Sequence, residues 1–236
     1  MSRIPTQAII FDMDGTMIDS MPWHAQAWVE FARRRRMDVD VPDLMARTTG
    51  RNGTECIREL LGREVPQDEA DALTREKEDI YRELFGPRFA EVAGFRQFAR
   101  QVADRGLKVA VGTAGDIHNV HFALSHLQMD VQPLAIVRGD EGLPGKPEPA
   151  IFLEAARRID VPPQHCIVFE DAPFGIEAAR RAGMRAVAVC STHNPAQLAG
   201  PPCTGCRARL HRTHEHRLSG EHPCCNCLKK MDRPRL

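Results

Sequence analysis

Near its amino terminus the chain reads Ala8-Ile9-Ile10-Phe11-Asp12-Met13-Asp14-Gly15-Thr16. The first four residues are apolar without alternation, which is typical of a strand buried on both faces of a parallel sheet. Two carboxylates, Asp12 and Asp14, follow where the strand ends, and Gly15 allows the chain to turn sharply. Ligands of open α/β sheets bind beyond the carboxyl ends of the strands. The stretch therefore predicts a first strand that ends in a functional site, with an ordinary surface turn as the alternative.

Further apolar runs indicate the other strands of the same sheet. They cover residues 107–111, 134–137, 166–169 and 186–189. Helical patterns lie between most of them, at 93–105, 117–128, 148–159 and 173–183. Strands and helices that alternate in this way predict an α/β fold with a doubly wound parallel sheet.

The segment between the first two predicted strands is typical of helices. Pro22 stands where the first turn of a helix tolerates proline, and further helical patterns cover 54–61 and 67–84. A helical insertion at this place would lie over the carboxyl edge of the sheet as a small cap. We therefore predict a core formed by 1–16 and 89–200, a helical cap at 17–88, and a separate tail at 201–236.

Composition narrows the class of protein. The chain has 236 residues, enough for one core and an inserted smaller domain, and its formal net charge of +0 favours neither nucleic-acid nor membrane partners. The arginine run at 33–36 is attributed to the solvent-exposed end of a helix. Residues 1–5 lack the apolar stretch of a signal peptide, and no apolar run reaches the roughly 20 residues of a membrane span. We expect a cytoplasmic protein that is a monomer or a weak homo-oligomer.

Small and acidic residues also follow the second and fourth apolar runs. Thr113-Ala114-Gly115 comes shortly after one, and Glu170-Asp171 directly after the other. Because carboxyl ends of parallel strands share one edge, these residues are expected to lie near Asp12 and Asp14. Four carboxylates there would repel one another unless a cation is bound, and hard oxygen ligands select Mg²⁺.

The stretch Phe11-Asp12-Met13-Asp14-Gly15-Thr16 resembles the first motif of the haloacid-dehalogenase-like superfamily, in its phosphatase and phosphomutase branch. Thr113 resembles the second motif, and Lys146 in Gly145-Lys146-Pro147-Glu148-Pro149 resembles the third. Glu170-Asp171 resembles the fourth. The motifs stand in the family's order, and the resemblance covers about residues 5–199.

The resemblance implies a Rossmann-type core and a role for each motif residue. Asp12 would be the nucleophile that forms an aspartyl-phosphate, and Asp14 the general acid and base. Thr113 would bind the phosphoryl group, and Lys146 would bridge the nucleophile and the phosphate. The Mg²⁺ ligands would be Asp12, Asp171 and the main-chain carbonyl of Asp14, with support from Glu170.

The insertion resembles the cap of the β-phosphoglucomutase-like subgroup. His24, Arg51 and Lys77 match cap positions that contact or position the substrate there, and Ala114 and Gly115 are assigned to substrate binding beside Thr113. Alternatives remain for the cap residues, because His24 could simply pack near Trp28 and Lys77 could pair with nearby glutamates on a solvated helix.

The function implied is a Mg²⁺-dependent phosphatase that acts on a small phosphorylated metabolite, with a sugar phosphate as the expected substrate. A phosphomutase of the β-phosphoglucomutase kind is the alternative, because both activities share the first half-reaction. The stretch 111–115 looks more like fructose-1-phosphate phosphatase-type relatives and favours the phosphatase. A non-catalytic metal-binding protein is a third hypothesis, which depends on the tail.

From Pro201 onward the sequence does not look like the family. The tail lacks aromatic residues and helical periodicity, and it holds five of the eight cysteines, Cys203, Cys206, Cys224, Cys225 and Cys227. It could be a zinc module, a disordered basic tail, or an altered, out-of-frame carboxyl terminus. We favour the last, with disorder as its consequence and an exposed sheet edge as the expected result.

Overall fold

The computed structural model describes residues 4–198 and 203–207, the last five through their backbone. Within these residues, six parallel strands form one sheet in the spatial order β3-β2-β1-β4-β5-β6. The strands are β1 (Ala8–Phe11), β2 (Lys108–Gly112), β3 (Ala135–Val137), β4 (Cys166–Glu170), β5 (Arg185–Val189) and β6 (Cys203–Arg207). The order reverses between β1 and β4, so the predicted doubly wound parallel sheet is confirmed.

Helices cover both faces of the sheet, because alternate residues of each strand point to opposite faces. Ile9 and Phe11 pack in one apolar cluster, and Ala8 and Ile10 pack in another. The first cluster includes residues of α5 (Phe95–Asp104) and α6 (Ile117–Leu127). The second includes residues of α7 (Ala150–Arg158), α8 (Pro173–Arg181) and the short α9 (Pro195–Leu198).

The cap follows β1, as predicted, and consists of helices. They are α1 (Met21–Arg35), α2 (Val41–Thr48), α3 (Gly53–Leu61) and α4 (Gln67–Phe85), and a 3₁₀ turn, Gly86–Arg88, leads back to the core. The two connections to the core run side by side, because Ile18 bridges to Glu91. The cap is therefore joined to the core at a paired crossing, and the bounds 17–88 stay a prediction.

Helix α2 had no counterpart among the predicted helices. It spans two turns, which is too short for its apolar periodicity to stand out. Its start does follow the usual pattern, since the Asp40 side chain accepts a hydrogen bond of 3.0 Å from the backbone N–H of Asp43. Pro42 occupies the first turn. These signals at the amino end could have located the helix.

The first part of the tail differs from the expectation of disorder. Cys203–Arg207 form β6, which pairs in parallel with β5 and covers that edge of the sheet. The ladder uses backbone groups, so a segment with an unusual side-chain pattern can still supply a strand. Residues 208–236 lie outside the described residues, as do the side chains of Cys203 and Cys206. The zinc module, one of the three alternatives for the tail, therefore also lies outside them.

Across the described ranges 4–198 and 203–207, none of the helices combines the length and the apolar composition that crossing a membrane requires.

Candidate active site

Three carboxylates meet where β1 and β4 end. Phe11 lies opposite Phe169 in the sheet register, and the N–H of Asp12 donates a 2.9 Å hydrogen bond to the carbonyl of Phe169. This register places Asp12 next to Glu170. One oxygen of each of Asp12, Glu170 and Asp171 lies within 4.8 Å of the others, and all three residues are buried. The structure thus brings together three of the four predicted metal ligands by their side chains.

Lys146 supplies positive charge to these carboxylates. Its ammonium contacts Asp12 Oδ1 and donates a hydrogen bond of 2.9 Å to Glu170 Oε1. The side chain is fully buried, with Nζ 4.9 Å from the centre of the Phe152 ring. Burial by itself lowers the pKa of Lys146, but the charges of Asp12 and Glu170 outweigh it and hold the pKa above its usual value. The ammonium therefore stays charged.

The carboxylates carry more charge than Lys146 balances. Burial is the main cause that raises the pKa of Asp12 to about 7, against the opposing effect of Lys146. Burial and the neighbouring Glu170 also raise the pKa of Asp171 well above its usual value. Keeping three buried carboxylates ionised requires a further cation, and carboxylate oxygens select hard divalent ions such as Mg²⁺. The residues present therefore fit the expected metal.

The pKa of Asp12 predicts how pH and Mg²⁺ affect stability. Its folded value of about 7 exceeds its usual 3.8. Between these values the folded protein keeps a proton that the unfolded chain releases, so metal-free stability falls as pH rises through this range. Bound Mg²⁺ replaces that proton. We expect saturating Mg²⁺ to raise the melting temperature by roughly 5–10 °C at pH 8 and by clearly less at pH 5. Thermal unfolding in Mg²⁺ and in EDTA measures this, and equal shifts at both pH values would contradict it.

Asp14 lies at a separate point of the site, turned toward the cap. Its Oδ1 accepts hydrogen bonds from Ser20 Oγ (2.7 Å) and from His24 Nε2 (3.2 Å), and Tyr81 OH approaches to 3.4 Å. Burial by itself raises the pKa of Asp14, but His24 and Ser20 outweigh it, and the pKa lies below its usual value. The carboxylate form is therefore favoured. Metal binding through the main-chain carbonyl of Asp14 stays a prediction.

His24 and Lys77 form a hydrogen-bonded chain that ends at Asp14. Lys77 Nζ donates to His24 Nδ1 over 2.6 Å, which leaves the imidazole proton on Nε2, the nitrogen that faces Asp14. The His24 ring also stacks on Tyr81, with the ring centres 3.8 Å apart. Lys77 is buried, so its ammonium does not belong to a solvated helix face. Both cap residues thus lie where they can position the carboxylate of Asp14.

Arg51 occupies the rim of the site. Its guanidinium pairs with Glu59 at 3.3 Å and lies 5.5 Å from the centre of the Phe174 ring in α8. Arg51 is carried by the cap and Phe174 by the core, so this contact spans the opening between them. The Arg51 side chain is a third exposed.

Thr113, Ala114 and Gly115 line the cavity between cap and core, which has a volume of about 100 Å³. Thr113 Oγ1 accepts a hydrogen bond of 3.0 Å from the N–H of Gly115. The hydroxyl proton of Thr113 therefore remains available for a ligand oxygen. Asp12, Asp14 and the cap residues border the same cavity, whereas Lys146 is fully buried and reaches the site through its contact with Asp12.

A family model of haloacid dehalogenase-like hydrolases matches residues 6–183 of the chain. The chain belongs to this family. It is 35% identical over 185 residues to a fructose-1-phosphate phosphatase of Escherichia coli, covering 77% of this chain and 95% of the relative. A β-phosphoglucomutase of Bacillus subtilis is 32% identical over 193 residues, covering 78% of this chain and 83% of the relative.

Solved structures agree with the fold of this haloacid dehalogenase-like chain. A hydrolase from Pseudomonas syringae superposes with a TM-score of 0.74 at 27% identity, over 82% of this chain and 89% of that one. A β-phosphoglucomutase from Clostridium difficile gives a TM-score of 0.76 at 25% identity, over 87% and 92%. The chain therefore shares the fold of these two relatives over most of its length.

Two residues near the fourth motif were missed by the sequence analysis. Thr192 Oγ1 donates to Asp171 Oδ2, and Ser191 Oγ donates to the carbonyl of Gly15. They follow β5 and therefore reach the same edge of the sheet as the other motifs. Their position directly after a predicted strand was a usable signal, but serine and threonine are too common in loops to stand out. They hold Asp171 and the first motif in place.

Position 15 requires a glycine, because the Asp171 side chain lies too close for any Cβ atom. The φ of Gly15 is +77°, and a Cβ atom built there would lie 2.1 Å from Asp171 Oδ2. We expect Gly15→Ala to displace Asp171, to remove most of the Mg²⁺-dependent stabilisation, and to lower stability by about 2 kcal/mol or more. Gly62→Ala is the matched control, because Gly62 also has a positive φ, +62°, but no atom lies within 4 Å of its Cβ position. Thermal unfolding with and without Mg²⁺ compares the two, and equal losses would contradict the expectation.

Glu78 and Asn119 are further site residues that the sequence did not indicate. Glu78 Oε1 accepts a 2.8 Å hydrogen bond from Lys77, and Oε2 accepts one of 2.8 Å from Asn119 Nδ2. Asn119 lies in the first turn of α6, in the core, so this contact joins core to cap. No local pattern predicts a contact between residues 41 positions apart.

Proposed function

We propose that the protein is a Mg²⁺-dependent phosphatase of a small phosphorylated metabolite, with sugar phosphates as the substrate class. The observation that carries the proposal is the contact of Asp12 with Lys146 beside Glu170 and Asp171, at the floor of a small cavity. The names of the relatives support the substrate class, since they include a fructose-1-phosphate phosphatase and a phosphorylated carbohydrates phosphatase of Thermotoga maritima.

In the first half-reaction, a carboxylate oxygen of Asp12 attacks the phosphorus atom and the bond from phosphorus to the substrate oxygen breaks. The products are an aspartyl-phosphate and an alcohol. Lys146 neutralises charge between the nucleophile and the phosphoryl oxygens, and the hydroxyl of Thr113 donates to one of them. When bound by Asp12, Asp171 and the carbonyl of Asp14, Mg²⁺ supplies the remaining positive charge. Positioning and charge neutralisation of this kind account for most catalysis of phosphoryl transfer.

Asp14 acts as the general acid of the first half-reaction and the general base of the second. A protonated Asp14 gives its proton to the leaving oxygen. As a carboxylate it then takes a proton from the water that attacks phosphorus, the bond between phosphorus and Asp12 breaks, and inorganic phosphate leaves. Asp14 thereby regains the proton that it gives to the leaving oxygen in the next turnover. The hydrogen bonds from Ser20 and His24 favour the carboxylate, which is the form needed in the second half-reaction. The cap lies over the cavity and limits the access of water to the intermediate.

Phosphate release from a panel of sugar and polyol monophosphates, in Mg²⁺ and in EDTA, tests the proposal. We expect release in Mg²⁺ from at least one member of the panel and none above background in EDTA. A folded protein that releases phosphate from none of them would overturn the assignment as a phosphatase.

A phosphomutase is the second candidate, favoured by the 32% identity to a protein named β-phosphoglucomutase. In that case the phosphoryl group of Asp12 returns to another hydroxyl of a sugar. A coupled assay distinguishes the two activities. Conversion of glucose 1-phosphate into glucose 6-phosphate without phosphate release would make the phosphomutase the first candidate and the phosphatase the second. The third hypothesis, a non-catalytic metal-binding protein, depends on the tail from Pro201 and gains no support from the described residues.

A further inference from the structure

The cap side of the cavity is close to electrically neutral. Among the described residues that line it, the cationic groups are Lys77 and Arg51, since His24 carries one ring proton, on Nε2. Both have a carboxylate within 4 Å: Lys77 and Glu78 lie 2.8 Å apart, and Arg51 and Glu59 lie 3.3 Å apart. A charged group of a ligand that entered this side would therefore meet cations that are already neutralised.

Glu78 is the carboxylate that matters most here, because it is largely enclosed and held in place. Its side chain is 12% exposed, and that of Lys77 is 4% exposed. Burial by itself raises the pKa of Glu78, but Lys77 and His24 outweigh it, and the pKa lies below its usual value. Asn119 fixes the other carboxylate oxygen from the core. The carboxylate form of Glu78 is thus favoured, and its position in the cavity is fixed by Lys77 and Asn119.

The same face of α4 carries a free hydrogen-bonding group. The Thr74 hydroxyl lies one turn before Glu78, and both residues line the cavity. Thr74 Oγ1 is buried without a hydrogen-bond partner among the described residues. A buried hydroxyl without a partner is costly, and a hydroxyl of a ligand would satisfy it. Each carboxylate oxygen of Glu78 also has a further lone pair, which can accept a hydrogen bond from a ligand hydroxyl.

The two ends of the cavity therefore differ in chemistry. At the Asp12 end, a phosphoryl group would meet the Thr113 hydroxyl and the expected Mg²⁺, with the charge of Lys146 next to Asp12. At the cap end, as far as the described residues line it, the group would meet the carboxylate of Glu78 and no cation without a carboxylate partner. A second phosphate buried there would pay its desolvation cost with no compensating charge.

We propose that Glu78 is a specificity-determining residue that admits substrates with one phosphate and excludes bisphosphates, while Thr74 and Glu78 bind hydroxyl groups of the substrate. This inference rests on the proposed phosphatase function and narrows its substrates to sugar or polyol monophosphates. It also bears on the mutase alternative. Transfer of the phosphoryl group from Asp12 to a sugar monophosphate produces a bisphosphate, which this cavity disfavours.

A wider cleft continues outward from the cavity along Thr74 and Glu78, and Arg75 borders it. Arg75 is exposed to solvent. An exposed guanidinium contributes little to binding, because water and salt screen its charge. Arg75 therefore does not replace the missing cation inside the cavity.

Turnover of fructose 1-phosphate and of fructose 1,6-bisphosphate tests the inference. We expect kcat/KM of the wild type to favour the monophosphate by about tenfold or more. Glu78→Gln keeps the shape of the side chain and the contact with Asn119 but leaves the charge of Lys77 without a carboxylate partner. The ratio of kcat/KM that favours the monophosphate should therefore shrink at least about fivefold. Glu78→Asp is the matched control, because it keeps the charge and should keep the preference.

Binding of both compounds to Asp12→Asn, measured by calorimetry in Mg²⁺, separates this inference from the proposed function. A tighter dissociation constant for the monophosphate supports the charge argument even if no phosphate is released. Equal or tighter binding of the bisphosphate overturns it, as does an unchanged preference in Glu78→Gln. Release of phosphate from neither compound, with the expected binding preference, would count against the phosphatase alone.

Discussion

Asp12→Asn is expected to lower phosphate release by about 10⁴-fold or more while the protein stays folded. The amide oxygen of asparagine is a poor nucleophile, so the aspartyl-phosphate does not form. Folding should survive because asparagine has nearly the same shape and because Lys146 keeps its 2.9 Å hydrogen bond to Glu170. Removal of one buried carboxylate also reduces the repulsion with Asp171, so stability without Mg²⁺ should rise slightly.

Two measurements check this result, the rate of phosphate release and the yield of phosphorylated protein after acid quenching. Asp19→Asn is the matched control, since Asp19 is an exposed aspartate in the same segment of the chain. It should leave both measurements unchanged. If Asp12→Asn keeps more than about a hundredth of the wild-type rate, Asp12 is not the nucleophile.

Lys146→Met is expected to have the largest effect on stability. Its ammonium contacts Asp12 and Glu170 in a fully buried position, and methionine fills similar space without charge. Two buried carboxylates would then lose their partner, which costs about 3–5 kcal/mol. The carboxylates escape part of this cost by taking up protons, and proton uptake becomes harder as pH rises. The loss should therefore be larger at pH 8 than at pH 5.

Urea unfolding of metal-free protein at the two pH values measures the effect of Lys146→Met. Lys108→Met is the matched control, because Lys108 is half-buried at the start of β2 and its ammonium donates to the carbonyl of Ile159 over 2.6 Å. Removing that neutral contact should cost about 1 kcal/mol at either pH. A loss at Lys146 that matches the control, or that does not depend on pH, would contradict the electrostatic role.

Much of the fold could be predicted from local sequence because its strands are buried on both faces. Runs such as 8–11 and 166–169 were recognised as strands, and the structure has Ala8–Phe11 and Cys166–Glu170 there. Predicted helices agree with the observed ones to within a few residues. Helix α2 was not predicted, because a two-turn helix has too few residues to show a clear apolar periodicity. The strand Cys203–Arg207 could not be predicted, because its pairing with β5 at the sheet edge depends on backbone groups rather than on a side-chain pattern.

The sequence alone determined the residues that carry the proposed chemistry. Asp12, Asp14, Thr113, Lys146 and the pair Glu170-Asp171 stand at or near strand ends, and the parallel sheet brings all strand ends to one edge. Their chemical types were enough to predict a Mg²⁺ site, and the resemblance that their order gives to a known family implied phosphoryl transfer.

The tertiary structure alone decided how these residues are charged and what surrounds them. Burial raises the pKa of Asp12. Contacts between distant segments place Thr192 against Asp171 and form the hydrogen-bonded chain from Lys77 through His24 to Asp14. The contact of Glu78 with Asn119 also joins distant segments. A sequence pattern records residue type and spacing, whereas desolvation and Coulomb energies depend on distances in space, so only the folded chain sets them.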